Sequence, residues 1–527
     1  MEGNTMTEPR KPRIYLDSNG ETVKCENCPV GYKGLLNGIE YEVVDNDSLI
    51  SKVKSWSDLS KICTSLVDDM SNLFYDEGYI NGEINSWDTS NVTSMVRMFH
   101  YSRFNKPIWN WDVSNVEDMS GMFRSSEFNG HLNDWNVSKV RYMTNMFYDS
   151  QFNKELNRWD VSNVVCMSSM FEHSKFNQEI QEWDVSTVVY MSGMFSHSRF
   201  NQPLEKWNVG NVKYMDNMFQ YSRFNKPIPN WNVINVGNMS GMFEGSKFNQ
   251  EINEWNSVEL TDVSRMFYKS KFNKCINKIN LSKVKKMVKT FSKSLFDKPI
   301  SHFEVGNVTD MTEMFSFSKF NQEIENWDVG NVENMSLMFH YSIFNNPIGK
   351  WDTGNVENMF GMFSHSLFNQ KIEEWDVGNV KYMNGMFSNS NFNQNIGNWN
   401  VANVVTMCNM FGNSNFNQPL DDWNVSSVKD MSWMFSKTEF NQPIGFWKVG
   451  NVKDFSCMFL ESSFNQNINH WDLGSAISTT LMFYKSKLDK TLLDEWNTNW
   501  GDRLDYNNHP DKYLIEVDFQ NLIFYFN

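Results

Sequence analysis

Cysteine and proline are scarce in this chain, bases are outnumbered by acids, and no apolar run is long. The seven cysteines are odd in number. Cys166, Cys275, Cys408 and Cys457 fall at different phases of a repeat, which excludes a stacked disulfide ladder and suits reduced thiols in a reducing compartment. With 47 Lys and Arg against 63 Asp and Glu, the formal charge is −16 and the isoelectric point near 5.1. A general nucleic-acid binder is basic, so that class is excluded and no nucleic-acid partner is predicted. No stretch approaches the roughly 18 apolar residues of a membrane helix, and YLIEVDFQNLIFYFN near the C-terminus is too short and interrupted. MEGNTMTEPRKPR has no apolar core, so no secretory signal is predicted, and an intracellular or virion-associated location is favoured over secretion.

What is abundant is repetition. Trp recurs at 87, 111, 135, 159, 183, 207, 231 and 255, and again at 327, 351, 375, 399, 423, 447 and 471, with Ile279 and Phe303 in the two missing places. The step is 24 residues without insertion or deletion over 87–494. A fixed period in this range marks a repeat solenoid and overrides any domain count read from length.

Eight positions per frame are apolar; in the frame from Trp111 they are Trp111, Val113, Val116, Met119, Met122, Phe123, Phe128 and Leu132. Val116, Met119, Met122 and Phe123 share one face of a short helix, whereas Leu132, Trp135 and Val137 read as a strand. Proline precedes the Ile or Leu in seven frames (Pro107, Pro203, Pro227, Pro299, Pro347, Pro419, Pro443), so that strand begins after it. These observations predict an α/β repeat solenoid of 17 coils, each with one short parallel strand and one short helix, capped at both ends. At about 4.8 Å per stacked strand the array would be about 80 Å long. Columns of Asn after Phe (Asn105, Asn129, Asn153 and onward) and of Ser (Ser102 to Ser486, with Thr438 the one substitute) supply partners for backbone groups at the corners.

Residues 1–13 read as a disordered tail. Residues 14–86 read as an N-terminal cap: a β-meander with Asn-Gly turns, a helix over 47–69 carrying Leu49, Val53, Trp56 and Leu59, and a degenerate first repeat. Residues 495–527 read as a C-terminal cap. The frames from 255 to 303 are irregular, and a weak layer is expected there.

The frame F-N-Q-P-I-x-x-W-D-V-S-N-V-x-x-M-S-x-M-F, as at Phe416, Asn417, Gln418, Pro419, Trp423, Val425, Met431, Met434 and Phe435, resembles the repeats of the BspA-like surface-protein family. That family is leucine-rich-repeat-like and includes the repeats of Mycoplasma surface lipoproteins. The leader segments IYLDSNGETVKC and NGIEYEVVDNDSL also resemble those preceding such arrays in bacteria and large DNA viruses. The resemblance implies a right-handed solenoid and a role in adhesion or protein binding. The chain shows no lipobox cysteine or wall anchor, a departure that weakens the surface-display reading.

Chemistry-bearing residues are weighed against this frame. Asp follows Trp at 88, 112, 160, 184, 328, 352, 376 and 472, a column that could hold Ca²⁺. Asn holds the same place at 136, 208, 232, 256, 280, 400 and 424, and Lys at 448, so an Asx turn or cap is the better reading. Thirty of the 33 methionines occupy the two Met columns and read as core. Cys25-x-x-Cys28 lacks further ligands. The nine histidines are scattered and pair with no recurrent Ser and Asp. No metal, cofactor or enzymatic activity is predicted.

The local anomaly is basic. Lys271, Lys274, Lys278, Lys283, Lys285, Lys286, Lys289 and Lys293 fall in one stretch without an acid, and Lys298 follows. The stretch is either a solvated face or a docking site for an acidic partner. As candidate partner-binding residues it offers Lys271, Lys274, Lys278, Lys285, Lys286, Lys289 and Lys293. A second basic column (Arg103, Lys175, Arg199, Arg223, Lys247, Lys271, Lys319) gives way to Ile343 and Leu367, whose exposure would mark a contact surface. The reading is a non-enzymatic scaffold that binds another protein through its repeat surface, with a displayed adhesin as the alternative.

Overall fold

The computed structural model describes residues 11–76, 82–489 and 491–492. The predicted C-terminal cap and most of the predicted disordered tail lie outside them. The chain forms two compact units: Met1–Val308 with Ser318–Phe320, and Thr309–Phe317 with Asn321–Asn527.

The first unit opens with two hairpins. β1 (Arg13–Leu16) pairs antiparallel with β2 (Val23–Glu26), and β3 (Lys33–Leu36) with β4 (Ile39–Val43). Asn37 and Gly38 turn the second hairpin, both at positive φ (52° and 81°), the conformation an Asn-Gly hairpin favours. α1 (Asn46–Lys54) starts at a capping box between Asp45 and Ser48. It is shorter than the predicted 47–69 helix, because Trp56 takes φ 56° and ends it. β5 (Ile62–Cys63) runs parallel to β4. Val23 of β2 forms a parallel bridge to Trp87, and the Trp87 indole donates to the Leu59 carbonyl (3.0 Å), which joins these elements to the first coil.

In each unit the coils stack through main-chain hydrogen bonds. In the first, Met119 N–H reaches Tyr142 O (2.9 Å), Gly121 reaches Thr144 (2.8 Å), Phe123 reaches Met146 (2.9 Å) and Ser125 reaches Tyr148 (2.7 Å). The intervening amides close tight turns, Met122 to Met119 O (3.1 Å) and Arg124 to Gly121 O (3.1 Å). The second unit repeats this: Met383 reaches Thr406 (3.2 Å) and Phe387 reaches Met410 (2.9 Å).

This pattern corrects the predicted helix. No frame between 87 and 489 contains an α-helix; the Met-x-x-Met-Phe segment is a run of turns. Two residues per frame, four apart, sit at positive φ, as in Ser169 (53°) with His173 (57°) and Asn409 (55°) with Asn413 (54°). Each left-handed residue interrupts an α-helical run and turns its N–H toward the next coil. Apolar spacing of three and four looks the same for a helix and for tight turns. The predicted strand through Leu132, Trp135 and Val137 is also absent. The sheet shrinks to one bridge per coil at another place, as in Asp118↔Tyr142 and Asp430↔Asp454, because the turns already carry the inter-coil bonds.

The core is three aromatic ladders. Trp111 and Trp135 stack at 6.3 Å, Phe123 and Phe147 at 5.6 Å, and Phe128 and Phe152 at 6.4 Å. The second unit keeps these columns, with Trp375–Trp399 at 6.4 Å and Phe363–Phe387 at 5.7 Å. All eight apolar positions of the Trp111 frame are buried. Indoles of the ladder also donate to carbonyls of the preceding coil, as Trp159 does to Leu132 O (2.8 Å) and Trp423 to Ile396 O (3.0 Å). Polar ladders close the corners: Asn153 N–H donates to Asn129 Oδ1 (2.9 Å), Phe152 N–H to Ser150 Oγ (3.3 Å) and Asn163 Nδ2 to Ser138 O (2.8 Å).

Candidate functional site

The predicted lysine band encircles a coil instead of forming a patch. Lys271 and Lys293 are nearly a full 24-residue turn apart, and the residues between them occupy different columns. Glutamates of the preceding coil neutralise part of it: Lys274 pairs with Glu251 (3.3 Å), Lys283 with Glu259 (2.9 Å), and Lys278 with Glu254. Lys286 lies at the bridge column opposite Asp262, while Lys289 and Lys293 occupy the two left-handed positions (φ 57° and 54°). Lys285 is exposed. The band is thus one coil's circumference seen end to end in sequence.

The Asp column makes Asx turns. Asp112 Oδ1 accepts from Ser114 N–H (3.0 Å), and Asn136 Oδ1 accepts from Ser138 N–H in the same way (3.2 Å). Among the described residues no three His, Cys, Asp or Glu side chains are placed to hold a metal ion. The structure adds one neighbour to the Cys25-x-x-Cys28 pair that spacing did not reveal: Cys63 on β5. The Cys25 S–H donates to Cys63, which pushes the Cys25 thiol up and holds the Cys63 thiol down. Ser65 Oγ, which takes Cys25 N–H (3.1 Å), completes the cluster.

The second unit carries an apolar trough of about 400 Å³ that crosses successive coils. Its floor is the first left-handed column, where Gly361 (φ 55°) and Gly385 (φ 59°) follow each other in adjacent coils. Leu337 and Trp433, in the same column, form its ends. A Cβ at Gly361 would meet Leu337 Cδ2 at 2.6 Å, so glycine there keeps the leucine wall in place. At Gly385 the nearest atom to an added Cβ is 3.9 Å away, which leaves the centre of the floor open. The polar side is held by its own bonds: Asn409 Nδ2 and Asn389 Nδ2 both donate to Ser388 Oγ (2.9 and 2.8 Å). Asn384 Oδ1 is a lining acceptor that is buried and takes no hydrogen bond. Burial pushes the Cys408 thiol up to about 12, and Asp430 adds to this, so it is an inert apolar surface. Burial also lowers the His365 pKa, which favours the neutral ring.

A second exposed apolar ridge accompanies the trough. Phe317, Tyr341 and His365 stack at 4.6 and 4.1 Å. Ile343 and Leu367, the positions where the basic column turns apolar, are 45% and 51% exposed. These apolar side chains stay unburied on coils whose interiors are already filled.

Stacked 24-residue coils with aromatic and amide ladders define a tandem-repeat solenoid protein. The model of the family described as "Mycoplasma protein of unknown function, DUF285" matches this chain in eight overlapping stretches: 45–155, 148–247, 200–295, 246–342, 269–366, 292–395, 341–439 and 388–496. The chain belongs to that family. No curated protein matches it. Among solved structures it is similar to the leucine-rich-repeat ectodomain of the plant membrane receptor kinase GASSHO1/SCHENGEN3 from Arabidopsis thaliana, in complex with CASPARIAN STRIP INTEGRITY FACTOR 2. The identity is 10% and the TM-score 0.27, over 86% of this chain and 71% of that one. No described helix is long and apolar enough to cross a membrane.

Proposed function

We propose that this chain is a non-enzymatic repeat scaffold that binds another protein, and that the second unit's trough and aromatic ridge are where it does so. The observation that carries the reading is the consecutive pair Gly361 and Gly385 between Leu337 and Trp433. It opens a socket where two successive coils lack a side chain, whereas Gly121, Gly193 and Gly241 stand singly in this column. The remaining regular columns are consumed by the core and the corner bonds, which leaves variable positions as the source of specificity. An apolar socket flanked by exposed aromatic residues is what a protein hot spot requires. The resemblance to BspA-like surface proteins supports the same reading.

Gly385→Leu tests it. Leucine already stands in this column at Leu337 and Leu481, at φ 55° in both, so the coil accepts it. The added side chain fills the socket. Quantitative affinity capture with wild-type, Gly385→Leu and Trp433→Ala chains is expected to retain a discrete partner on the wild type and lose it on both variants while both remain folded by circular dichroism. Equal capture by all three removes the trough from the function.

A further inference from the structure

The first unit carries a surface of opposite character. Lys175, Arg199, Arg223, Lys247 and Lys271 occupy one column in five consecutive coils, and all five are exposed. Coils joined by parallel bridges are about 4.8 Å apart, so the row is about 20 Å long with one positive charge per step. Among the described residues none of the five forms an ion pair, in contrast to Arg103 of the same column, which faces Glu127 at 3.9 Å. A chain of net charge −16 thus keeps five like charges in line without a carboxylate beside them, and their mutual repulsion is relieved by an anionic ligand.

The neighbouring column adds donors. Asn153, Asn177 and Asn201 each accept the next coil's main-chain N–H on Oδ1 at 2.8–2.9 Å. Their Nδ2 groups donate to no acceptor among the described residues. Cations and amides together line a trough of about 510 Å³ that includes no apolar residue. A protein partner needs apolar or aromatic anchors, and this surface has none. Single-stranded nucleic acid needs free ring faces. The nearby rings have spent theirs: His173 stacks on His197 at 4.5 Å and His197 on Tyr221 at 4.9 Å, and Tyr221 lies over Gly245.

We propose that the Lys175–Lys271 row is a binding surface for a linear anionic polysaccharide, lying along the coil stack with its sulfate or carboxylate groups on the cations and its hydroxyls on the asparagine amides. A pyranose unit is comparable in length to one coil step, so charges on the chain stay in register with the row. This surface is separate from the second unit's trough, and either can fail without the other.

Dextran sulfate titrated into the full chain is the test, with neutral dextran, poly-glutamate and a single-stranded DNA oligonucleotide as comparisons. Dextran sulfate is expected to bind with log K falling linearly in log salt, neutral dextran not at all, and the other two polyanions more weakly. Arg199→Glu/Arg223→Glu/Lys247→Glu is expected to weaken dextran sulfate by about tenfold or more, since each reversal turns an attraction into a repulsion. The charge-matched variant Lys278→Glu/Lys285→Glu/Lys286→Glu is expected to stay within about twofold, because those lysines lie off the row. Equal loss in both triple variants would mean net charge alone governs binding and would overturn the proposal. So would an unchanged row variant, or poly-glutamate or DNA binding as tightly as dextran sulfate.

Discussion

Replacing Ser169 by Thr adds one methyl group, yet the structure makes it a disruptive change. Ser169 sits at φ 53° in the first left-handed column. Across both left-handed columns, the described frames carry Gly, Asn, Asp, Ser, Cys, Leu, Lys, Arg, Glu, His, Phe, Tyr and Trp, but no Val, Ile or Thr. A left-handed residue with a Cβ already bears about 1–2 kcal/mol. A second γ substituent makes it a true outlier, so threonine is expected to cost a further ~1–2 kcal/mol. Ser169→Gly relieves the first term and raises unfolded-chain entropy by about 0.5–1 kcal/mol, which leaves it within about 1 kcal/mol of wild type. Ser168→Thr is the control, since its neighbour-coil equivalent is already Thr144 and its φ is not left-handed. Repeat arrays do not unfold in one step, so native-state hydrogen exchange is the assay. The reporting amides are Ser169, whose N–H reaches Ser192 O at 2.8 Å, and His173, which reaches Ser196 O at 2.8 Å. They should exchange about 5–30-fold faster in Ser169→Thr, at one tenfold per ~1.4 kcal/mol, and at the wild-type rate in Ser168→Thr. Equal behaviour of the two threonines would refute the turn-built account of the coil.

Other substitutions test other layers. Trp159→Phe keeps the ladder but removes the indole bond to the Leu132 carbonyl, which still accepts the Trp135 N–H (3.1 Å), so it should cost about 0.5–1.5 kcal/mol by chemical denaturation; Trp159→Ala should cost ~3–5 kcal/mol. Burial raises the Asp430 pKa, so its charged form is disfavoured in the folded state and its stability contribution is lost as pH rises through the folded value. Asp430→Asn, the residue found in this column at Asn238, Asn334 and Asn358, is therefore expected to raise the melting temperature at pH 7 and to lose that advantage below the usual carboxylate range. Glu244 is 1% exposed and bonded to Arg265 (2.7 Å) and Gln220 (3.0 Å). Arg265→Met should destabilise by roughly 3 kcal/mol, because it leaves a buried charge unpaired, and adding Glu244→Gln should restore most of it in thermal melts.

The repeat itself was legible because Trp, Met, Phe, Asn and Ser each do one job at one place, and the Trp spacing alone fixes the coil. Which side chains are buried was also legible: Val116, Met119, Met122 and Phe123 all point inward. The backbone that carries them was not. Period three-four is shared by helix and turn, and the signal that separates them lies in the two left-handed columns, half-buried at Asn145, Ser169 and Asn409 and exposed at His173, whose shared trait is the absence of β-branching. That trait emerges only when the frames are compared column by column. Sites were harder still. The lysine band drew attention because it is contiguous in sequence, but contiguity in a coil means spreading around its circumference. A surface on stacked coils is made of residues 24 apart, as Lys175, Arg199 and Arg223 are, or Leu337 and Gly361. The open socket required two successive glycines in a column whose conformation the sequence had not disclosed.

The central claim is that fold-equivalent columns differ in function through their variable residues. A photo-crosslinking amino acid placed at Tyr341, beside the trough, and at Asp149, the same column in the first unit, tests it most directly in the native host. The account predicts a discrete protein adduct from 341 that disappears with Gly385→Leu, and none from 149. Matching adducts from both positions, or an adduct at 341 that survives the filled socket, would contradict it.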